Sequence, residues 1–355
     1  MRGAGGATDP DQDPGAIPVK NGEGEMTTDR MQGAAPIVIR GSMVTKKFSL
    51  AEYAPALIVL LLLVIGTLSS ERFLQGRNIF NILQYAAEPA IIAVGMMFVI
   101  LARGIDLSVG SVMGIGNVTA AILVAAGYGV VVSVVGAILF GAVFGLINGL
   151  LITKGRMEPI IATLATMIGA RSVIYFMTGG APMFEGIPQE FKAIAQGSLV
   201  GVPNGVLFLA IAFLGAYVVL NHTRYGRHVY IVGGSEETAR LFGIKVTWIE
   251  ISVYVISGML AATAGVIGSS RLGIGDPNAG VGYELVAITM VVVGGVRLAG
   301  GVGTVFGVLS GVLIVSVLSN ILQLNNVSTH VQHIFLGGGI AGMMLFLSWQ
   351  DRRQA

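Results

Sequence analysis

Covalent catalysis needs a nucleophile, a ligand cluster or a phosphate cradle, and this chain offers almost none of them. It has no cysteine, which excludes disulfides, thiolate nucleophiles and cysteine metal sites, and its four histidines lack the i, i+4 spacing of a helical metal-ligand pair. Neither a metal site nor a cofactor is expected. No Gly-x-x-x-x-Gly-Lys-[Ser/Thr] occurs, nor even a Gly-Lys pair, so the chain has no P-loop with which to hydrolyse ATP. What remains is a few acids and amides in apolar sequence, namely Glu88, Asp106, Glu284, Asn117, Asn148 and Thr163, together with a charged island at 223–244, TRYGRHVYIVGGSEETARLFGI. A carboxylate deep in a membrane, such as Glu88, either relays protons or pairs locally with its own bundle.

The elements that must position these residues follow from composition. With 54% hydrophobic residues, 11% charged residues, 52 glycines and a mean hydropathy of +0.80, the chain reads as an all-α polytopic membrane protein. A net charge of +2, spread between apolar runs, excludes nucleic acid as a partner.

A bilayer core of about 30 Å needs roughly 20 helical residues per crossing. That criterion predicts ten spans, near 53–69, 79–102, 108–126, 129–152, 158–178, 204–221, 247–270, 283–298, 303–323 and 329–348, within a transmembrane domain at 49–355. Residues 1–48 are rich in Gly, Asp, Thr and Pro and cannot bury enough surface to offset ordering entropy, so they are expected to form a disordered cytoplasmic tail. The Lys and Arg count is 13 in the inward loops and ends against 4 outside (Arg72, Arg77, Lys192 and Arg271). This asymmetry puts both termini and the loop at 222–246 in the cytoplasm.

Two halves of the chain resemble each other. Gly141, Gly145 and Gly149 recur at four-residue spacing in the fourth span, as do Gly303, Gly307 and Gly311 in the ninth. Such rows let helices approach closely. Gly104-Ile105-Asp106-Leu107 opens the third span and Gly282-Tyr283-Glu284-Leu285 the eighth. In a ten-span topology these openings fall on opposite membrane faces, as an inverted repeat requires. In the island, Ser235 suits an N-cap, Glu236 and Glu237 suit the first turn, and Gly243 suits the left-handed position after the end, which predicts a short helix over 236–242. Its Thr238, Leu241 and Phe242 fall at i, i+3 and i+4, so it packs either on its own bundle or into a partner.

GIDLSVGS (104–111), the island, and GYELVAITMVVVGGVRLAGGVGTVFG (282–307) together resemble the membrane permease subunits of binding-protein-dependent ABC importers for ribose and related simple sugars. The resemblance covers roughly residues 50–350. It departs from the sugar permeases at Ala102-Arg103, where a further Gly is often found, and at Val286, where an acidic residue is common. The resemblance implies a bacterial inner-membrane protein with three kinds of protein partner: an ABC ATPase, a periplasmic sugar-binding protein and a second permease, identical or not. Membrane lipid surrounds such a subunit. It further implies that Ser235, Glu236, Glu237, Thr238, Ala239, Arg240, Leu241, Phe242 and Gly243 form the helix that docks into the ATPase. Gly104, Asp106, Ser108, Gly110, Ser111, Gly282 and Glu284 carry the structural motifs. A neutral sugar calls for amides and hydroxyls along its path, and Asn117, Asn148 and Thr163 are the candidates. An ion-coupled carrier of a small polar solute is the alternative, and a membrane scaffold without transport is a third reading.

Overall fold

The computed structural model describes residues 50–328 and, beyond them, only Val331, Gln332, Ile334, Gly337, Gly338 and Gly342. The expected tail at 1–48 and most of the tenth predicted span lie outside the described residues. The other nine spans are helices: α1 (Leu50–Ser69), α2 (Gly76–Leu101), α3 (Val109–Ala125), α4 (Val130–Thr153), α5 (Pro159–Thr178), α7 (Asn204–His222), α10 (Val246–Leu272), α11 (Tyr283–Val293) and α12 (Val305–Leu324). Among the described residues six of these, α2, α4, α5, α7, α10 and α12, are long and apolar enough to cross a membrane, while α3, α11 and the Pro55–Ser69 part of α1 are shorter apolar helices.

Five described elements lie outside the predicted spans. On the predicted outer side, α6 (Gln189–Gln196) precedes a two-residue hairpin, β1 (Ser198–Leu199) and β2 (Val202–Pro203). On the predicted inner side, α8 (Arg224–Gly234) precedes α9 (Glu236–Leu241).

Two helices form the centre. Every residue of α2 from Ala86 to Leu101 is buried, and α10 is buried along most of its length, as expected of helices that are apolar all round. In α4 the burial is one-sided. Its buried stripe is Ser133, Ala137, Gly141, Phe144, Gly145, Asn148 and Gly149, while Val131, Leu139 and Val143 face outward, where a bilayer would cover them. The buried stripe meets α10 backbone to backbone. A Cβ on Gly145 would collide with the Tyr254 carbonyl and the Val255 Cα, and one on Gly149 with the Ile251 backbone. The row in the other half is used in the same way with another partner, since Gly307 and Gly311 of α12 abut the backbone at Gly294, which ends α11, and at Met290.

One expectation needs correction. The eighth span ends at Val293, not near 298, because Gly295 takes a left-handed φ of 83° and the chain turns back, with the Arg297 N–H donating to the Val302 carbonyl. The two Gly-x-acid-Leu openings lie close together in the fold. Gly110, in the first turn of α3, lies against Gly280 and the Glu284 carboxylate at the start of α11. The start of α3 is buried, with Asp106 and Ser108 at 1% and 0% exposure, whereas the start of α11 is half-buried, with Val281 and Leu285 exposed.

Candidate functional site

The short helix α3 leaves free N–H groups inside the protein, where only other protein groups can satisfy them. Asp106, 1% exposed, does this for α3. Its Oδ1 accepts from the Ser108 N–H at 3.0 Å and the Ser108 hydroxyl at 2.6 Å, and its Oδ2 accepts from the Ser257 hydroxyl of α10 at 2.9 Å. Asn148 of α4 donates to the Ser108 hydroxyl at 2.8 Å and to Asp106 Oδ1 at 3.4 Å, and accepts from the Thr166 hydroxyl of α5 at 2.5 Å. Four helices are thereby tied to one carboxylate. Gly104 sits under Tyr254 and Val99, where a side chain would push the lead-in away from this knot.

The start of α11 is held by a cation. Arg171 of α5 donates to the Pro277 carbonyl at 2.7 Å, the Ala279 carbonyl at 3.0 Å and the Gly110 carbonyl at 3.4 Å. Ser111, Arg171, Gly282 and Glu284 share one cavity of about 350 Å³. Members of both sequence motifs thus meet in space.

The three candidate path residues are already occupied. Asn117 donates to the Gly265 carbonyl at 3.2 Å and accepts from the Asp276 N–H at 2.8 Å, Asn148 belongs to the Asp106 knot, and the Thr163 hydroxyl donates to the Pro159 carbonyl at 2.8 Å. All three are fully buried, and all serve as bonds within or between helices. Glu88 is also paired: the Arg271 Nε donates to its carboxylate at 2.8 Å, with the guanidinium 5.1 Å from the centre of the Tyr85 ring. Arg271, counted above among the outer-loop charges, sits in the last turn of α10.

In the island the predicted short helix forms as α9. The Ser235 hydroxyl accepts from the Thr238 N–H at 3.2 Å, Glu236 and Glu237 occupy the first turn, Phe242 is the C-cap, and Gly243 has a φ of 74°. Arg240 pairs with Glu236 at 2.6 Å, which raises the guanidinium's pKa further. The face turned to the bundle is Ala239, 0% exposed, whereas Leu241 is 82% and Phe242 75% exposed. Trp248, at the start of α10, is 67% exposed. The large apolar side chains of α9 therefore point away from their own protein.

The sequence reading missed α8, which joins α9 to the bundle. Thr223 caps it, accepting from the Gly226 N–H at 3.1 Å. Gly233 packs on the Leu101 carbonyl and Gly301, and the Gly301 N–H itself donates to Leu101 at 2.9 Å. Tyr230, whose hydroxyl burial keeps protonated by raising its pKa, donates to the Gly303 carbonyl at 3.0 Å. Thr223 before Arg224 was the one local signal, and the glycines at 233 and 234 obscured it.

Comparison with known proteins agrees with this architecture. The family model described as "Branched-chain amino acid transport system / permease component" matches residues 78–348. The chain is 42% identical to the ribose import permease protein RbsC of Escherichia coli (strain K12) over 293 residues, covering 82% of this chain and 91% of the relative. It is 40% identical to the ribose import permease protein RbsC of Bacillus subtilis (strain 168), covering 81% and 89%. It is 36% identical to the L-arabinose ABC transporter permease protein AraH of Azospirillum brasilense, covering 82% and 85%. No solved structure matches. With a multi-pass bundle, a family match over most of its length and similarity to relatives across nearly their whole lengths, the chain belongs to the family of ABC transport permease components.

Proposed function

We propose that this chain is the membrane-spanning subunit of an importer that moves a monosaccharide or related polyol inward, driven by ATP hydrolysis on a separate ABC ATPase. The family model's description mentions branched-chain amino acids, but relatives at 33–42% identity are named for ribose, L-arabinose and D-allose, which favours a sugar. The observation that carries the coupling role is α9: a capped six-residue helix with Leu241 and Phe242 exposed and only Ala239 turned inward. Such a helix gains stability by docking its apolar tip into a groove. The loop at 222–246 is then the coupling loop on the cytoplasmic face of a bacterial inner membrane, with both termini on that face and residues 1–48 as a tail. A periplasmic sugar-binding protein delivers substrate to the outer segments, and a second permease, identical or not, completes the pair. Closure of the ATPases moves α9, and α8 passes that motion to the ends of α2 and α12 through Leu101, Gly301 and Gly303, a rigid-body switch between inward- and outward-facing states.

An ion-coupled carrier needs a carboxylate free to change its protonation, and the Glu88–Arg271 pair weighs against that reading. The test is to purify the tagged chain from native membranes in mild detergent. Recovery of an ATPase in near-equal amount, lost in Glu237→Arg/Leu241→Asp while membrane insertion persists, is expected. Equal ATPase recovery with that double variant, or uptake abolished by an uncoupler without a nucleotide requirement, would overturn the proposal.

A further inference from the structure

In α12, Ser316, Ser319, Asn320 and Gln323 fall at i, i+3, i+4 and i+7 and form one polar stripe on a helix whose one other polar side chain is Ser310. The stripe opens on a groove of about 460 Å³, with Tyr85 of α2 and Tyr283 of α11 on the opposite walls. A polar row in a membrane helix serves either as hydrogen-bonding glue between helices or as the lining of a wet passage. The structure separates these roles along the stripe. Asn320 is glue, exchanging two 3.0 Å hydrogen bonds with Asn78 at the start of α2. Ser316, Ser319, Gln323 and the two tyrosine hydroxyls have no hydrogen-bond partner among the described residues. Other hydroxyls in the spanning helices, such as Thr153, Ser172, Thr263, Thr289 and Ser310, donate back to the carbonyl four residues earlier at 2.7–3.0 Å. Ser316 and Ser319 leave that option unused.

The chemistry of the groove is specific. Its described lining carries hydroxyls, amides and two phenol rings beside aliphatic side chains, and no charged group. A volume of that size suits a small ligand. A monosaccharide needs hydrogen bonds for its hydroxyl edge and an apolar or aromatic surface for its C–H face.

We infer that the α2–α11–α12 groove is the surface a neutral monosaccharide touches as it crosses, with Ser316, Ser319 and Gln323 hydrogen-bonding its hydroxyls and Tyr85 and Tyr283 stacking on its ring. The inference rests on the sugar-importer reading. It replaces Asn117, Asn148 and Thr163 as the path residues.

The experiment uses the full chain in its native cells with radiolabelled D-ribose, L-arabinose, D-allose and D-galactose as probes. The triple variant Ser316→Ala/Ser319→Ala/Gln323→Leu is expected to lower initial uptake by about tenfold or more, as the loss of three hydrogen bonds predicts, with ATPase recovery retained. Tyr283→Phe is expected to change the ratio of rates among the sugars that are transported. The absence of native cysteine makes Ser319→Cys a single probe: a water-soluble maleimide should label it, more slowly with the transported sugar present. Wild-type uptake of one of these sugars with equal uptake by the triple variant overturns the groove alone, and so does a Ser319→Cys that stays unlabelled, which would mark the stripe as covered by another helix. A wild type that moves none of the four overturns the sugar reading and the groove with it.

Discussion

The seam between α4 and α10 and the groove between α2, α11 and α12 start from the same pattern, a row of small or polar residues at helical spacing on an apolar helix. In α4 the row is Gly141, Gly145 and Gly149, and the facing backbone of α10 closes on it until no side chain fits. In α12 the row is Ser316, Ser319, Asn320 and Gln323, and a cavity remains in front of it. Residue size decides the outcome: removing side chains turns a row into a joint, while keeping polar ones holds the neighbours apart and leaves donors to be satisfied. A transporter needs both, a joint that does not yield and a lining that accepts a passing solute.

The comparison breaks most sharply at the joint. Gly145→Leu forces a side chain into the Tyr254 and Val255 backbone and should cost more than about 3 kcal/mol, beyond the usual overpacking range; the inserted chain should disappear from membranes on immunoblots. Gly215→Leu, at a position with nothing within 4 Å of the new Cβ, should insert like wild type. Next comes the ion pair. Glu88→Ala strands a guanidinium that is 19% exposed and should cost about 2–3 kcal/mol, somewhat less than a fully buried pair; a double-mutant cycle with Arg271→Ala in detergent thermal melts should show strong coupling. Asp106→Ala leaves Ser108 and Ser257 without their acceptor and should cost about 1–3 kcal/mol. It should lower transport without changing which sugar is chosen, and altered preference at normal expression would move Asp106 from the scaffold to the path. The smallest effect is expected at the exposed Arg240–Glu236 pair: Arg240→Ala should leave the melting temperature unchanged.

Much of the fold was legible because membrane helices announce themselves by length and hydropathy: among the described residues nine of the apolar runs are helices, and six of those are long and apolar enough to cross a membrane. Helix ends that depend on caps were also legible, as Ser235 and Gly243 around α9 show. Which polar side chains are bonded within the protein was not. Asn117, Asn148 and Thr163 stand out in sequence as polar groups in apolar helices, yet each found a partner on the protein. Ser316 and Ser319 have none among the described residues. Whether a polar side chain is a bond or a lining depends on what the neighbouring helix presents opposite it, and a single sequence does not carry that information.

The sequence by itself determined an all-helical, multi-pass chain without its own P-loop, a charged island capped to form a short helix, and the glycine rows that permit close packing. These are local properties, set by side-chain hydropathy, capping chemistry and residue size. Only the tertiary structure decided that the starts of α3 and α11 meet, that Glu88 has Arg271, that Leu241 and Phe242 face away from their own protein, and that the α12 stripe borders a groove. Each of these depends on groups tens to hundreds of residues apart, and the energy of a buried charge or a free hydroxyl is set by the neighbour that folding brings to it.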